Sequence, residues 1–352
     1  MADTSTSDRS IAAVPPGSSS HAPISLDAAI SLSPMDRAII EALQHDGRRT
    51  FASIAIELGV TEKSVRSHVA RLRADKIIEI TTVTDPAVLG YQTSAIVGVK
   101  SSQERTLSDI ADELWTIPAV DYVAIVAGRY DLLVEVLCQD SAALLRTIEE
   151  DVRRVAGAGA TLEALPYLRL HYQEPRWAEA QEKEPEGDGE PYLLNEIDRG
   201  IIVELNADGR TPFAAIAREL DISESQVRNR VARMTSSGAV RIVALTNPGT
   251  LGFDTLAWLG LRVAAGSSAA RLADRLRDLP SVTYLAVCAG RFDLMAEVLC
   301  LDLRHLAQLV DEEVRTLPGL GSVEVMTGLD LRYRRISPIP RESVPRARSA
   351  GA

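Results

Sequence analysis

The sequence predicts an α+β chain in which one two-part unit is written twice: a trihelical domain with a strand wing, then a β-α-β-β-α-β domain. Three observations predict it. The first is an internal duplication at an offset of 162 residues. Asp46-Gly47-Arg48 recurs as Asp208-Gly209-Arg210, and Ala127-Gly128-Arg129-Tyr130-Asp131-Leu132 recurs as Ala289-Gly290-Arg291-Phe292-Asp293-Leu294. Asp36 to Ile80 matches Asp198 to Ile242 at 21 of 45 positions, and Ala127 to Cys138 matches Ala289 to Cys300 at 9 of 12. That period is far too long for a solenoid repeat. The second is a run of apolar residues at helical spacing broken by a Gly turn. The third is the alternation of β-rich and helical stretches that follows.

In copy one, Ser33-Pro34-Met35-Asp36 reads as a helix start, with a cap and then Pro and Asp in the first turn. Ile39, Ile40 and Leu43 continue it at helical spacing. A second helix is expected from about Thr50 to Leu58, with Phe51, Ile54, Ala55 and Leu58 inward. Gly59-Val60-Thr61 is a short turn in which Gly59 can take positive φ. Thr61 or Glu62 caps a third helix carrying Val65, Val69 and Leu72. Helix, Gly turn and helix make a helix-turn-helix pattern, and Ile77 to Val83, ended by Asp85-Pro86, suits a wing strand. From about Tyr91 the expected order is strand (Ala95 to Val99), helix (Leu107, Ile110, Ala111, Leu114), strand (Val120 to Ala127) and a Gly128-Arg129-Tyr130 turn. It continues with strand (Asp131 to Cys138), helix (Leu144, Leu145, Ile148, Val152, Val155) and strand (Thr161 to Leu170). That is the ferredoxin-like order. The domains are therefore a disordered tail (1–33), a winged helix-turn-helix (34–90), a ferredoxin-like domain (91–172), a linker (173–193), a second helix-turn-helix (194–252), a second ferredoxin-like domain (253–335) and a tail (336–352).

Bulk properties exclude several classes. Hydrophobic content of 46% and charged content of 25% are ordinary for a globular chain. No apolar run approaches the ~18 residues of a membrane span. The first 34 residues, with nine Ser and four Pro, do not read as a secretory signal. Cys138, Cys288 and Cys300 suit neither a disulfide framework nor a zinc site, so buried reduced thiols in a cytoplasmic protein are expected. The net charge of −11 is unevenly spread. Residues 174–190 hold seven acidic and two basic groups, and read as a self-repelling linker. The five His do not cluster, and no phosphate loop, zinc spacing or nucleophile elbow occurs. No catalytic residue, metal site or cofactor is expected.

Two motifs carry the functional reading. The outer face of the third helix offers Lys63, Ser64, Arg66, Ser67, His68 and Arg71, and its counterpart offers Ser225, Gln226, Arg228, Asn229, Arg230 and Arg233. Arg, Asn and Gln match base edges in the major groove, and basic flanks neutralise phosphates. The bland alternative is a solvated basic face. The turns Gly128, Arg129, Tyr130, Asp131 and Gly290, Arg291, Phe292, Asp293 are either plain hairpins or a rim for a small polar ligand, with Asp131 and Asp293 as ammonium partners.

These residues resemble the leucine-responsive regulator family, Lrp/AsnC, over about 36–172 and 198–335. The resemblance rests on the Asp-Gly-Arg opening, Arg230 to Met234, Asn247-Pro248 to Leu251-Gly252-Phe253, and the Gly-x-Tyr/Phe-Asp turn. It implies a regulator that binds double-stranded DNA. Its ferredoxin-like domains would pair, form homo-oligomers, and bind an amino-acid effector near that turn. Departures are the two units per chain, His68 where Arg is common, Arg129 and Arg291 where an acid is common, and Asp221 in place of Gly59. A linker of ~20 residues reaches roughly 25 Å, which permits pairing within one chain. Two rivals remain: a sirohaem-decarboxylase-like enzyme, whose wing His is missing at Thr84-Asp85-Pro86 and Thr246-Asn247-Pro248, and an effector-binding partner without DNA binding.

Overall fold

The computed structural model describes residues 32–84, 86–102, 105–173, 192–246 and 251–333. Most of both expected tails, the acidic linker from 174 to 191, Asp85 and the Asn247-Pro248 motif lie outside the described residues.

Copy one runs α1 (Pro34–His45), α2 (Phe51–Leu58), α3 (Glu62–Ala74), the wing strand β1 (Ile78–Thr84), a single turn α4 (Pro86–Leu89), β2 (Thr93–Lys100), α5 (Leu107–Trp115), β3 (Val120–Ala127), β4 (Leu132–Cys138), α6 (Ser141–Arg146), α7 (Arg153–Ala156) and β5 (Thr161–Gln173). Copy two runs α8 (Glu196–Ala207), α9 (Phe213–Glu219), α10 (Glu224–Ser236), the wing β6 (Val240–Thr246), β7 (Thr255–Val263), α11 (Ala269–Arg277), β8 (Val282–Cys288), β9 (Leu294–Cys300), α12 (Leu303–Gln308) and β10 (Leu320–Tyr333). The expected elements all form. Ser33 and Asp36 close a capping box on α1, and Asn195 and Asp198 do the same on α8. Gly59 ends α2 at φ +65°, and Asp221 holds the same left-handed turn at φ +52°. Asp is one of the few side chains that visit this region.

Among the apolar residues that mark the helix after β4, Leu145 is exposed. A π-helical stretch over Thr147–Val152 joins α6 to α7. Its wider turn shifts the phase, so Leu144, Val152 and Val155 are buried while Leu145 faces out.

The copies are joined twice. β1 pairs antiparallel with β6 from Ile78↔Thr246 to Thr84↔Val240. α1 packs on β6 of the other copy and α8 on β1, so one continuous core runs through both trihelical domains. Each β-α-β-β-α-β unit forms an antiparallel sheet, and the long last strands carry it onto its neighbour. β5 pairs with β8 and β10 with β3, closing an eight-stranded barrel in the order β10-β3-β4-β2-β5-β8-β9-β7. Closure leaves the barrel without a free sheet edge. Helices cover the outside over two separate cores, and a third core fills the barrel. The last strands also correct the repeat. Tyr167 pairs with Cys288 and Gly328 with Val126, so here the copies correspond at an offset of 161. Thr161 therefore matches Ser322, not Val323.

Candidate functional site

The third helices of the two trihelical domains, α3 and α10, begin with Thr61 and Ser223 capping the first turn. Val65, Val69 and Leu72 bury one face of α3, and Val227, Val231 and Met234 that of α10. Among the twelve predicted face residues, Lys63, Arg66, Ser67, Arg71, Ser225, Gln226, Arg228, Asn229 and Arg233 are exposed. Arg66 and Arg228 carry matching ion pairs, to Glu62 at 2.5 Å and to Glu224 at 2.7 Å. His68 and Arg230 instead turn inward. His68 Nδ1 lies 2.7 Å from Asp36 Oδ1, and Arg230 donates to Asp198 Oδ1 at 2.9 Å. Arg71 also donates to Asp36, at 2.5 Å. Each aspartate thus caps its first helix and ties the third helix to it. Burial would raise the Asp36 carboxyl, but the His68, Ser33 and Arg71 hydrogen bonds outweigh it and hold the group below the usual range. Ser64 is half-buried, and Gln226 spends its carbonyl on the cap of α10.

Sequence reasoning identified Asp-Gly-Arg as an opening motif and missed its role. The Gly47 N–H donates to Ile242 O and the Gly209 N–H to Ile80 O, both at 2.7 Å. A Cβ on Gly47 would meet Ile242 O and Val243 N at 2.9 Å. Arg48 donates to Gly209 O at 2.7 Å and Thr211 O at 3.1 Å, and Arg210 reciprocates to Gly47 O at 2.8 Å and Arg49 O at 2.5 Å. The guanidiniums lie over the opposite copies' rings, Arg48 on Phe213 at 4.1 Å and Arg210 on Phe51 at 4.3 Å. Arg228 and Arg66 reach these same two rings. The lock between copies and the exposed basic face therefore share two aromatic seats.

The Gly-x-x-Asp turns are also seams. Arg129 Nε pairs with Glu324 at 2.9 Å and Arg291 Nε with Glu163 at 3.1 Å, each across the copies. Tyr130 and Phe292 are buried on the strand glycines Gly98 and Gly260, where a Cβ would strike the rings near 2.6 Å. The Tyr130 hydroxyl donates to Glu163 at 2.8 Å. Asp131 does take an ammonium, that of Lys100 at 2.5 Å, and the Ser101 N–H. Asp293 takes the Val263 N–H at 2.8 Å. Gly128 and Gly290 hold φ of +147° and +133° as these turns require.

Two carboxyls that sequence reasoning passed over sit inside the barrel. Glu135 and Glu297 occupy matching places in β4 and β9, in the otherwise apolar runs Leu-Val-Glu-Val-Leu and Met-Ala-Glu-Val-Leu. An acid in the middle of such a strand was the available signal. Each takes a tyrosine hydroxyl from the other copy: Tyr284 to Glu135 Oε1 at 2.5 Å and Tyr122 to Glu297 Oε2 at 2.6 Å. Burial pushes both carboxyls above the usual range, against the pull of these hydroxyls. Beside Glu135 opens a cavity of about 240 Å³, floored by Glu135, Tyr167 and Tyr284 and walled by α4, β2 and β5. All three thiols are buried, and burial pushes Cys288 and Cys300 up to about 12. Among the described residues no His/Cys/Asp/Glu group has metal-site geometry. No described helix is long and apolar enough to cross a membrane.

Comparison with known proteins agrees with this architecture. The AsnC-type helix-turn-helix domain matches residues 32–73 and 194–235, and the Lrp/AsnC ligand binding domain matches 94–162 and 256–334. An uncharacterized HTH-type transcriptional regulator of Pyrococcus abyssi is 33% identical over 132 residues, covering 37% of this chain and 83% of its own. The HTH-type transcriptional regulator Ptr1 of Methanocaldococcus jannaschii is 33% identical over 134 residues, covering 38% and 90%. The crystal structure of the siroheme decarboxylase NirDL superposes on 88% of this chain and 95% of its own, with a TM-score of 0.62 and 17% identity, which shows a shared fold. Single-unit relatives thus match about one copy each, and the two copies together make the chain a tandem-duplicated member of the Lrp/AsnC family of transcriptional regulators.

Proposed function

We propose that this chain is a sequence-specific binder of double-stranded DNA that acts as a self-contained pair, and that a small effector, an amino acid, biases its arrangement. One observation carries the reading. Two exposed basic recognition helices stand on one continuous core, fixed to each other by the β1–β6 ladder and the reciprocal Asp-Gly-Arg lock. Lys63, Arg66, Ser67 and Arg71 would read one half-site. Ser225, Arg228, Asn229 and Arg233 would read the other, and the difference between the faces makes the operator an imperfect palindrome. His68 and Arg230 position their helices through Asp36 and Asp198. The effector acts by population shift among paired arrangements, and higher homo-oligomers form from these pseudo-dimers. On this reading the work is cytoplasmic and non-enzymatic, the wings Thr84-Asp85-Pro86 and Thr246-Asn247-Pro248 carrying no His in the sequence.

The test is a footprint on the DNA upstream of the protein's own gene at low and moderate salt. Protection over two major-groove faces about one turn or more apart, weakening steeply with salt, is expected. Arg66→Ala and Arg228→Ala should weaken different half-sites. Equal loss on a symmetric footprint overturns the imperfect palindrome, and no protection on any genomic target overturns the DNA reading. A visible tetrapyrrole band on the purified protein would favour the enzyme instead.

A further inference from the structure

Glu135 and Glu297 are twins by position and opposites by environment. Both oxygens of Glu297 are engaged: Oε2 by Tyr122, Oε1 by the Thr283 hydroxyl at 2.7 Å. Tyr122 is itself held by Trp258 Nε1 at 2.8 Å. At Glu135 the two hydroxyls, from Tyr284 at 2.5 Å and Tyr167 at 2.9 Å, converge on Oε1 alone. Oε2 accepts no hydrogen bond from the described residues, although Glu135 is only 7% exposed. Two differences between the copies accompany this: Tyr167 stands where copy two has Gly328, and Asp121 where it has Thr283, whose hydroxyl it lacks. Copy one therefore has a second buried acid where copy two has a donor. Asp121 lies close enough to Tyr284 to help hold its hydroxyl protonated, after burial and Glu135 itself.

The described residues beside the two acids differ as well. The cavity of about 240 Å³ opens against Glu135 and is lined by Thr93, Ser94, Leu137 and Leu170, with the exposed Arg169 at its rim. In copy two Leu256 stands where copy one has Ser94, and Trp258 where it has Ile96. Leu256 packs directly on Gly328, the counterpart of Tyr167. A volume of about 240 Å³ is the share of roughly eight liquid waters, enough for a molecule the size of an amino acid.

We infer that this cavity is a single, asymmetric binding site for a small molecule bearing a protonated primary amine, whose ammonium donates to Glu135 Oε2. Both copies build it, since Tyr284 comes from copy two and the remaining lining residues from copy one. It lies apart from the Gly-x-x-Asp turns, whose carboxylates already hold partners of their own chain. An ammonium is a ligand suited to a carboxylate oxygen that lines a cavity and takes no hydrogen bond from the described residues. The amine can belong to an amino acid, whose carboxylate would reach toward Arg169, or to a simple amine without one. This places the effector of the proposed function, and binding is measured without DNA, so the two readings fail separately.

The experiment is calorimetric titration of the full chain with L-leucine, L-phenylalanine, isopentylamine, phenethylamine and 3-phenylpropionate. Binding of at least one amine-bearing probe at one molecule per chain is expected, with none for 3-phenylpropionate. Tighter binding of the amino acid than of its matching amine identifies the zwitterion as the ligand, and the reverse identifies the simple amine. Glu135→Gln, Ser94→Leu and Asp121→Thr should each weaken binding at least tenfold, the last by supplying the donor that copy two has. Glu297→Gln should bind as the wild type does. Thermal melts identify any variant that fails to fold, and Ser94→Leu, which removes none of the hydrogen bonds on Glu135, keeps the test decisive if Glu135→Gln does. No binding by any amine probe, binding at two per chain, or binding indifferent to Ser94→Leu overturns the inference.

Discussion

The two seams between the copies have diverged to different degrees. At the wing seam the contacts made to backbone and ring have their mirrors, Gly47 with Gly209, Arg48 with Arg210 and Phe51 with Phe213, while the side-chain bonds Arg73–Asp208 and Thr81–Asn206 do not. Inside the barrel the mirror is broken repeatedly: Asp121 faces Thr283, Ser94 faces Leu256, Ile96 faces Trp258, Tyr130 faces Phe292 and Tyr167 faces Gly328. The seam that sets the recognition helices tolerates little, because backbone meets backbone there. The barrel interior is filled by side chains, which can be exchanged if volume and hydrogen bonds are kept.

The sharpest way to break that comparison is to crowd the wing seam. Gly47→Ala and Gly209→Ala each push a methyl into backbone, at Ile242 and Val243 or at Thr81 and Ile80. Each should cost about 2–3 kcal/mol, and by nearly the same amount in denaturant titrations. A clearly unequal pair would mean the seam is less symmetric than its contacts. Inside the barrel, inequality is expected. Tyr122→Phe removes a group bonded to both Glu297 and Trp258 and should cost about 2 kcal/mol, while Tyr167→Phe, whose partner oxygen keeps Tyr284, should cost about 1 kcal/mol. Equal losses would restore the symmetry.

Stability against pH separates the seams by sign. Burial raises Glu297 in the folded state, so its contribution is fully present below the unfolded value of about 4.3 and is lost as pH rises through the raised folded value. Glu297→Gln should therefore flatten a decline toward higher pH. Asp36 is lowered, so its contribution is present above about 3.9 and lost as pH falls through the folded value. Asp36→Asn should flatten the acid limb instead, and pH-dependent melts check both. The smallest effect is at the helix turn, where Asp221→Gly should stabilise by ~0.5 kcal/mol by relieving a left-handed non-glycine.

Much of the fold was legible because its signals are local. The Ser33–Asp36 capping box, the Gly59 turn and the alternating strands each depend on a few neighbouring residues. Helix α4 is a single turn and carries too little periodicity to register. The π stretch that exposes Leu145 depends on hydrogen bonding between turns, and the sequence keeps no mark of it. Barrel closure was not legible because β5 and β10 pair with strands more than a hundred residues away. Most residues expected on the outer faces of α3 and α10 are exposed. The inward turn of His68 and Arg230 needed Asp36 and Asp198, 32 residues earlier in each copy. The glutamates were visible as letters, but their partners lie on other strands: a tyrosine from the other copy for each, and the unequal pair Tyr167 and Thr283 from their own copies.

Joining both seams inside one chain changes how the assembly answers dilution. A pair of separate subunits comes apart as its concentration falls, and its folding stability falls with it. Here the partner is always present at the effective concentration set by the connecting segment, in the millimolar range for short flexible tethers. A cell holding a handful of these molecules keeps every one of them paired, and on the proposed function occupancy of DNA would follow the first power of protein number.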